Sequence, residues 1–226
     1  MTSNYYKKGR EFTENLANEW FVSAGLNSRL NNTIDTSAVD ILVDGIKIDV
    51  QYSNNYLKYG DFRIDLISAF NFWQSSNNKD NSIFSRDIFE IFESKKNAHI
   101  HKKGKYFENP DYLDFVIVFF YNNRLLVEKT PKIVDLNNLD IELIPDYTLI
   151  VRSITLIDFV RNNGEHLFDD IRVNDKRKHN IKDKHESAFI PVSVQKIKNN
   201  FTVKDYLWAK SLPSPELIKT FFKNEL

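Results

Sequence analysis

Two aspartates, Asp40 and Asp49, flank an Asp44-Gly45 pair in the run Ser37-Ala38-Val39-Asp40-Ile41-Leu42-Val43-Asp44-Gly45-Ile46-Lys47-Ile48-Asp49-Val50-Gln51-Tyr52-Ser53-Asn54. Asp-Gly between alternating apolar runs is the strongest short signal for a two-residue β-hairpin loop. With that loop, Val43 faces Ile46, and the numbers of facing residues sum to 89. Asp40 and Asp49 obey the same sum. The spacing therefore predicts cross-strand neighbours on one face, with Cβ atoms about 5 Å apart. Lys47, Gln51 and Ser53 share that face, while Ile46, Ile48, Val50 and Tyr52 form a core-facing set.

Two carboxylates that close repel by about 3 kcal/mol at an effective dielectric near ~20. Two arrangements answer the repulsion. In one, Asp40 lies at a strand end in solvent, Asp49 pairs with Lys47 or another lysine, and nothing is bound. In the other, a divalent cation sits between the acids. Hard oxygen donors without Cys or a nearby His suit Mg²⁺ or Mn²⁺ rather than Zn²⁺.

An acid, a second acid nine residues on across a hairpin, one residue, and then Lys or a substitute resembles the PD-(D/E)XK nuclease superfamily. Gly9-Arg10-Glu11-Phe12-Thr13-Glu14 resembles the helix that precedes the hairpin there, with Glu14 the better match for its acid and Glu11 the reserve. Asp49-Val50-Gln51-Tyr52-Ser53-Asn54 is similar to the Glu-Val-Gln-Phe-Ser-Asn run of the Bgl-type type II restriction enzymes. The resemblance covers residues 8–54 and, more loosely, an apolar strand at 113–121. It departs from the superfamily at Val39, where Pro is common, and at Gln51, where Lys is usual.

The resemblance implies an α/β fold with a restriction-endonuclease-like core, a central mixed sheet flanked by helices. It implies that Asp40, Asp49 and the Val50 carbonyl hold Mg²⁺, with Mn²⁺ able to substitute, and that Glu14 supports the ion directly or through water. Gln51 would orient the attacking water, but it carries no charge to stabilise an anion as Lys does. The activity implied is metal-dependent hydrolysis of double-stranded DNA by a homodimeric type II restriction enzyme. A phage or repair nuclease, a ribonuclease, and a silent relative that binds nucleic acid or protein are the alternatives.

The elements that must position these residues are legible in part. Phe12, Leu16, Trp20 and Ala24 recur at helical spacing and Gly25 follows, which predicts a helix over 9–24. Residues 64–75 and 83–97 also read as helices. Residues 113–121 read as a buried strand, 124–127 as the strand after an Asn122-Asn123 turn, and 147–152 as another. Residues 153–163 read as a short helix with Gly164 past its end. Ser214-Pro215-Glu216 opens a final helix, with a Ser cap, Pro at the first position and an acid in the first turn.

With 226 residues and no Gly/Ser- or Pro-rich linker, the chain reads as one nuclease domain, with 153–226 as a subdomain for dimerisation or substrate contact. Zero Cys excludes a disulfide scaffold, a thiolate zinc site and a Cys nucleophile, and is compatible with the cytoplasm. The longest apolar run, Phe115 to Tyr121, is far short of the ~20 residues of a membrane helix, and Met1 to Lys8 does not read as a signal peptide.

Lys+Arg and Asp+Glu are both 31, so a polyanion site must come from uneven placement of charge. Placement is uneven. Residues 94–107 carry Lys95, Lys96, Lys102, Lys103, Lys105, His99 and His101 and no acid, whereas 135–146 carry acids and no base. The lysines read as a phosphate-tracking strip or as a solvated loop or helix end. Asn54, Asn55, Lys58 and Arg63 follow the hairpin and are expected to reach DNA, or to belong to a packed connecting loop. Residues 174–186 read as a charged surface loop. The His99/His101 alternation reads as surface rather than metal-binding.

Overall fold

The computed structural model describes residues 2–31, 39–53, 59–72, 85–122, 135–136, 138–174 and 186–222, with the side chains of 2–7 excepted. The turn into residues 124–127 and nearly all of the charged segment 174–186 lie outside these, as do Asn54, Asn55 and Lys58. The chain is mixed α/β and divides into two compact units. The first comprises residues 1–62, 111–153 and 193–226, the second 63–110 and 154–192. The units interleave along the chain, so no single linker separates them.

The first unit is built on a six-stranded mixed sheet. Its strands are β1 (Ser28–Leu30), β2 (Ile41–Val43), β3 (Ile46–Ser53), β6 (Phe115–Phe120), β7 (Tyr147–Arg152) and β10 (Tyr206–Lys210), adjacent in the order β1-β2-β3-β6-β7-β10. All neighbours are antiparallel except β3 and β6. Helix α1 (Thr2–Ser23) packs Phe12, Leu16, Trp20 and Phe21 onto Ile48 and Val50 of β3 and Ile117 and Phe119 of β6. It ends as the Gly25 signal predicts. The last helix, α7 (Pro215–Phe222), adds Ile218 and Phe222 to the same core, and its Leu217 N–H bonds the Ser214 hydroxyl at 3.3 Å. β6 is buried along its whole length, as its apolar sequence predicts.

The second unit is built on a four-stranded sheet in the order β5-β4-β9-β8. These strands are β4 (Asp61–Phe72), β5 (Ala98–Lys103), β8 (Arg172–Asn174) and β9 (Glu186–Ser193). Its helices are α2 (Ile88–Lys96), α3 (Lys105–Glu108), α4 (Ser153–Asn162) and α5 (Gly164–Leu167), and α6 (Val194–Asn200) belongs to the first unit. Phe70 stands edge-on to Phe92 at 5.0 Å, and Phe89 to Phe107 at 5.2 Å, in this unit's core.

One element differs in kind from its sequence reading. Residues 64–75 read as a helix, but 61–72 form the long strand β4. Its first half alternates, with Phe62, Ile64 and Leu66 buried. A register irregularity between Ile67 and Phe70 then breaks the alternation. Ile64, Ile67 and Phe70 are left three apart, a spacing that imitates a helical face. Gly164 lies past the end of α4, as its sequence reading has it, and also opens the short helix α5.

Candidate active site

The hairpin loop has both central residues at positive φ, Asp44 at 49° and Gly45 at 92°. That conformation matches the twist of a two-residue hairpin, and Gly and Asp tolerate it. The register is the predicted one, with Val43 opposite Ile46, Leu42 opposite Lys47 and Ile41 opposite Ile48. Ile41, Val43, Ile46, Ile48 and Val50 all face the α1 side. Asp49 and Gln51 therefore point to the other face, where Gln51 Nε2 donates to Asp49 Oδ2 at 3.1 Å.

The ladder stops one pair short of the two aspartates. The Asp40 N–H bonds the Ile48 carbonyl at 2.9 Å, one residue away from the Asp49 that a continued register would give. The expectation that Asp40 and Asp49 are ladder partners is thus corrected. The slip turns the Asp40 side chain along the edge of β3, where its Oδ2 accepts the Val50 N–H at 2.8 Å. In an extended strand the N–H and C=O of one residue point the same way. The Val50 carbonyl therefore faces the edge where the Asp40 carboxylate lies.

Helix α1 supplies the rest. Arg10 donates from Nη2 to Asp40 Oδ1 and from Nε to Glu14 Oε1, both at 2.6 Å. Thr13, fully buried, anchors this turn by bonding the Gly9 and Arg10 carbonyls. Glu14, not Glu11, is the acid the helix turns toward Asp40. Arg10 is the member of the site that the sequence reading missed; its position four residues before Glu14, the spacing of a helical ion pair, was the available signal.

Asp40 and Asp49 are 5% and 1% exposed. Burial is the main reason that the Asp40 pKa rises to about 7, and the charges of Asp49 and then Glu14 push it the same way. The Val50 N–H and the Arg10 charge oppose the rise without cancelling it. Burial disfavours the Arg10 charge, but Asp40 and Glu14 outweigh that and raise the guanidinium pKa. An unfavourable concentration of negative charge has thus been gathered at the β2/β3 edge and partly compensated by one arginine.

As donors, two buried carboxylates, a third carboxylate on α1 and a backbone carbonyl fit a hard divalent cation. Their present spacing is less complete. Among the described residues, no three acid or histidine side chains are gathered as a metal-binding group. Arg10, with its side chain 53% exposed, occupies the space between Asp40 and Glu14.

The expected DNA contacts among the described residues belong to the second unit, and all but Lys102 are engaged with aromatic rings. Lys95 and Lys96 stand over Phe168, Lys103 over Phe89, Lys105 over Tyr106 and Arg63 over Phe189, all within the second unit. The strip is the end of α2, strand β5 and the start of α3 rather than a loop. Since β5 is a sheet edge, its exposed Lys102 also serves as a guard against edge-to-edge pairing. His99 and His101 stack edge to face at 4.9 Å, and His99 lies 3.3 Å from Glu93.

No family model, curated protein or solved structure matches the chain. No described helix is long and apolar enough to cross a membrane.

Proposed function

We propose that the chain is a divalent-cation-dependent phosphodiester hydrolase with a restriction-endonuclease-like core. Within that class, the Asp49-Val50-Gln51 run favours a type II restriction endonuclease acting on duplex DNA, over a phage or repair nuclease or a ribonuclease. The observation that carries the reading is the convergence at the β2/β3 edge. A buried Asp40 is turned back onto the Val50 amide, and the charges of a buried Asp49 and of Glu14 act on it. A hairpin selected only for stability gains nothing from this repulsion.

Asp40, Asp49, the Val50 carbonyl and Glu14 would hold Mg²⁺. When bound, that ion would lower the pKa of a water and offset charge developing on the phosphate. Gln51, whose amide nitrogen is oriented by Asp49, has a carbonyl oxygen of the right chemistry to accept a hydrogen bond from the water. A homodimer would serve to cut both strands of a symmetric site.

A second reading, a silent relative that binds nucleic acid or protein, is favoured by the uncharged Gln51 and by Arg10 standing among the acids. Incubation of supercoiled plasmid with Mg²⁺ or Mn²⁺ separates the two. Nicking or linearisation that is lost in EDTA, in Asp40→Asn and in Asp49→Asn supports the hydrolase. Intact DNA and RNA under all of these conditions supports the silent relative.

A further inference from the structure

The opposite edge of the six-stranded sheet carries a second feature, which the hydrolase reading does not use. Along β10 runs a cleft of about 640 Å³ lined by Arg152, Lys198, Lys204, Tyr206, Trp208 and Phe221, with Val203, Leu207, Leu217 and Thr220 filling its walls. Arg152, Lys198 and Lys204 line it without an acid, in a chain whose formal charge is zero, although Arg152 is paired with Asp205 at 3.8 Å. Its aromatic floor is firmly set. Trp208 stacks on Tyr147 at 5.1 Å with an 11° interplanar angle, Phe120 meets its edge, and Lys198 Nζ lies 4.6 Å from the indole centre. Val203, 83% exposed, and Leu217, 43% exposed, leave apolar surface at the rim.

Register ties this cleft to the carboxylate edge. Asp49 pairs with Val116, Val116 with Val151, and Val151 with Tyr206. Gln51 leads in the same way through Val118 and Leu149 to Trp208. Tyr206 and Trp208 therefore lie on the same face and in the same rows as Asp49 and Gln51, three strands away, about 14 Å at ordinary strand spacing. Val116, Val118, Leu149 and Val151 between them are fully buried, so the cleft is a separate site and not an extension of the first.

We propose that the β10 cleft binds a nucleic-acid strand, with phosphates on Lys198 and Lys204 and a base against Tyr206 and Trp208. Cations that follow a backbone beside aromatic side chains on which bases stack are the two components of sequence-tolerant strand binding. A cleft of this size suits a segment of a few nucleotides rather than a whole duplex. An acidic peptide would find the cations but would gain little from the aromatic rings. The inference rests on nucleic acid being the ligand of the molecule, and it names a place where the strand is held away from the reacting phosphate.

The test is fluorescence anisotropy of a labelled oligothymidylate in EDTA, so that binding is read without cleavage. Wild type is expected to bind, and Lys198→Glu/Lys204→Glu to bind about tenfold or more weakly, with the slope of log affinity against log salt flatter by about 1.4 for two lost single-strand phosphate contacts. The exposed Lys204→Glu alone is the control for folding and should show about half of that change in slope. Photocrosslinking with an iodouracil-substituted oligonucleotide should label Tyr206 or Trp208. Unchanged affinity in the double variant, crosslinks only elsewhere, or equal competition by polyglutamate would each overturn the proposal. Plasmid cleavage with Mg²⁺ is run in parallel. A protein that cuts but does not use the cleft refutes this inference alone, and one that binds through the cleft but cuts nothing refutes the hydrolase alone.

Discussion

At the scale of single residues the molecule turns on the charge gathered at Asp40. Its carboxyl, ordinarily ionised well below pH 5, titrates near pH 7 here. The folded form therefore holds a proton that the unfolded chain has already released. Stability contributed by this group is complete below about pH 4 and falls as the pH rises toward ~7. The loss is on the order of 4 kcal/mol, because each unit of pKa difference is about 1.4 kcal/mol. Urea unfolding at pH 5 and pH 8 should show the decline, and Asp40→Asn should flatten it and be more stable than wild type at pH 8. If the Asn variant loses stability between pH 5 and 8 as steeply as wild type, another group is responsible. Divalent-ion affinity should move the opposite way, weakening as the pH drops below ~7, since bound ions need the carboxylate. Arg10 supplies a second residue-scale expectation. Its guanidinium already satisfies Asp40 and Glu14, so an arriving ion must displace it. Arg10→Gln should bind Mn²⁺ several-fold more tightly by calorimetry while losing some stability without metal, whereas unchanged Mn²⁺ affinity would show that the arginine is no competitor. The acids were legible in the sequence because their spacing across Asp44-Gly45 sets their neighbourhood. Arg10 was not, since an Arg four residues before a Glu on a helix is common and only the slipped Asp40 gives it a second partner.

At the scale of elements, legibility followed how far each segment's own period matched its final environment. The hairpin, α1, β6, β7 and α7 were readable because a turn signal, a cap or an uninterrupted apolar pattern agreed with the tertiary packing. β4 was not, because its register irregularity places buried residues three apart. Asp40 was misplaced by one residue for a related reason: a strand end obeys no register, and hydrogen bonding to Ile48 and Val50 won over pairing with Asp49. Two glycines test the element-level account. Gly45 holds φ at 92°, so Gly45→Ala should cost about 1 kcal/mol and loosen the hairpin that sets Asp49. Gly104 is more demanding, because a Cβ there would lie 1.7 Å from the Asp65 carbonyl oxygen. Gly104→Ala should cost about 3 kcal/mol or more and unfold the second unit first. Hydrogen exchange that loosens the β4–β5 pair while β3 and β6 stay protected would agree with this, and a loss of protection in β3 and β6 alone would contradict it.

At the scale of the whole molecule the balance of charge governs behaviour that no site controls. Lys+Arg and Asp+Glu cancel at 31 each and the isoelectric point is about 7.0, so neutral buffer provides no net repulsion between copies. One buried carboxyl, that of Asp40, titrates close to this point. Lowering the pH to ~5.5 protonates the raised Asp40 carboxyl, which loses its negative charge and leaves the chain net positive. Solubility at low salt should therefore be higher at pH 5.5 than at pH 7, with added salt weakening the contrast by screening. Precipitation by polyethylene glycol at pH 5.5 and 7 measures this directly. Equal or lower solubility at pH 5.5 than at pH 7 would mean that local patches such as the cation-lined β10 cleft or the acids of the β2/β3 edge, and not the summed charge, decide how two copies meet.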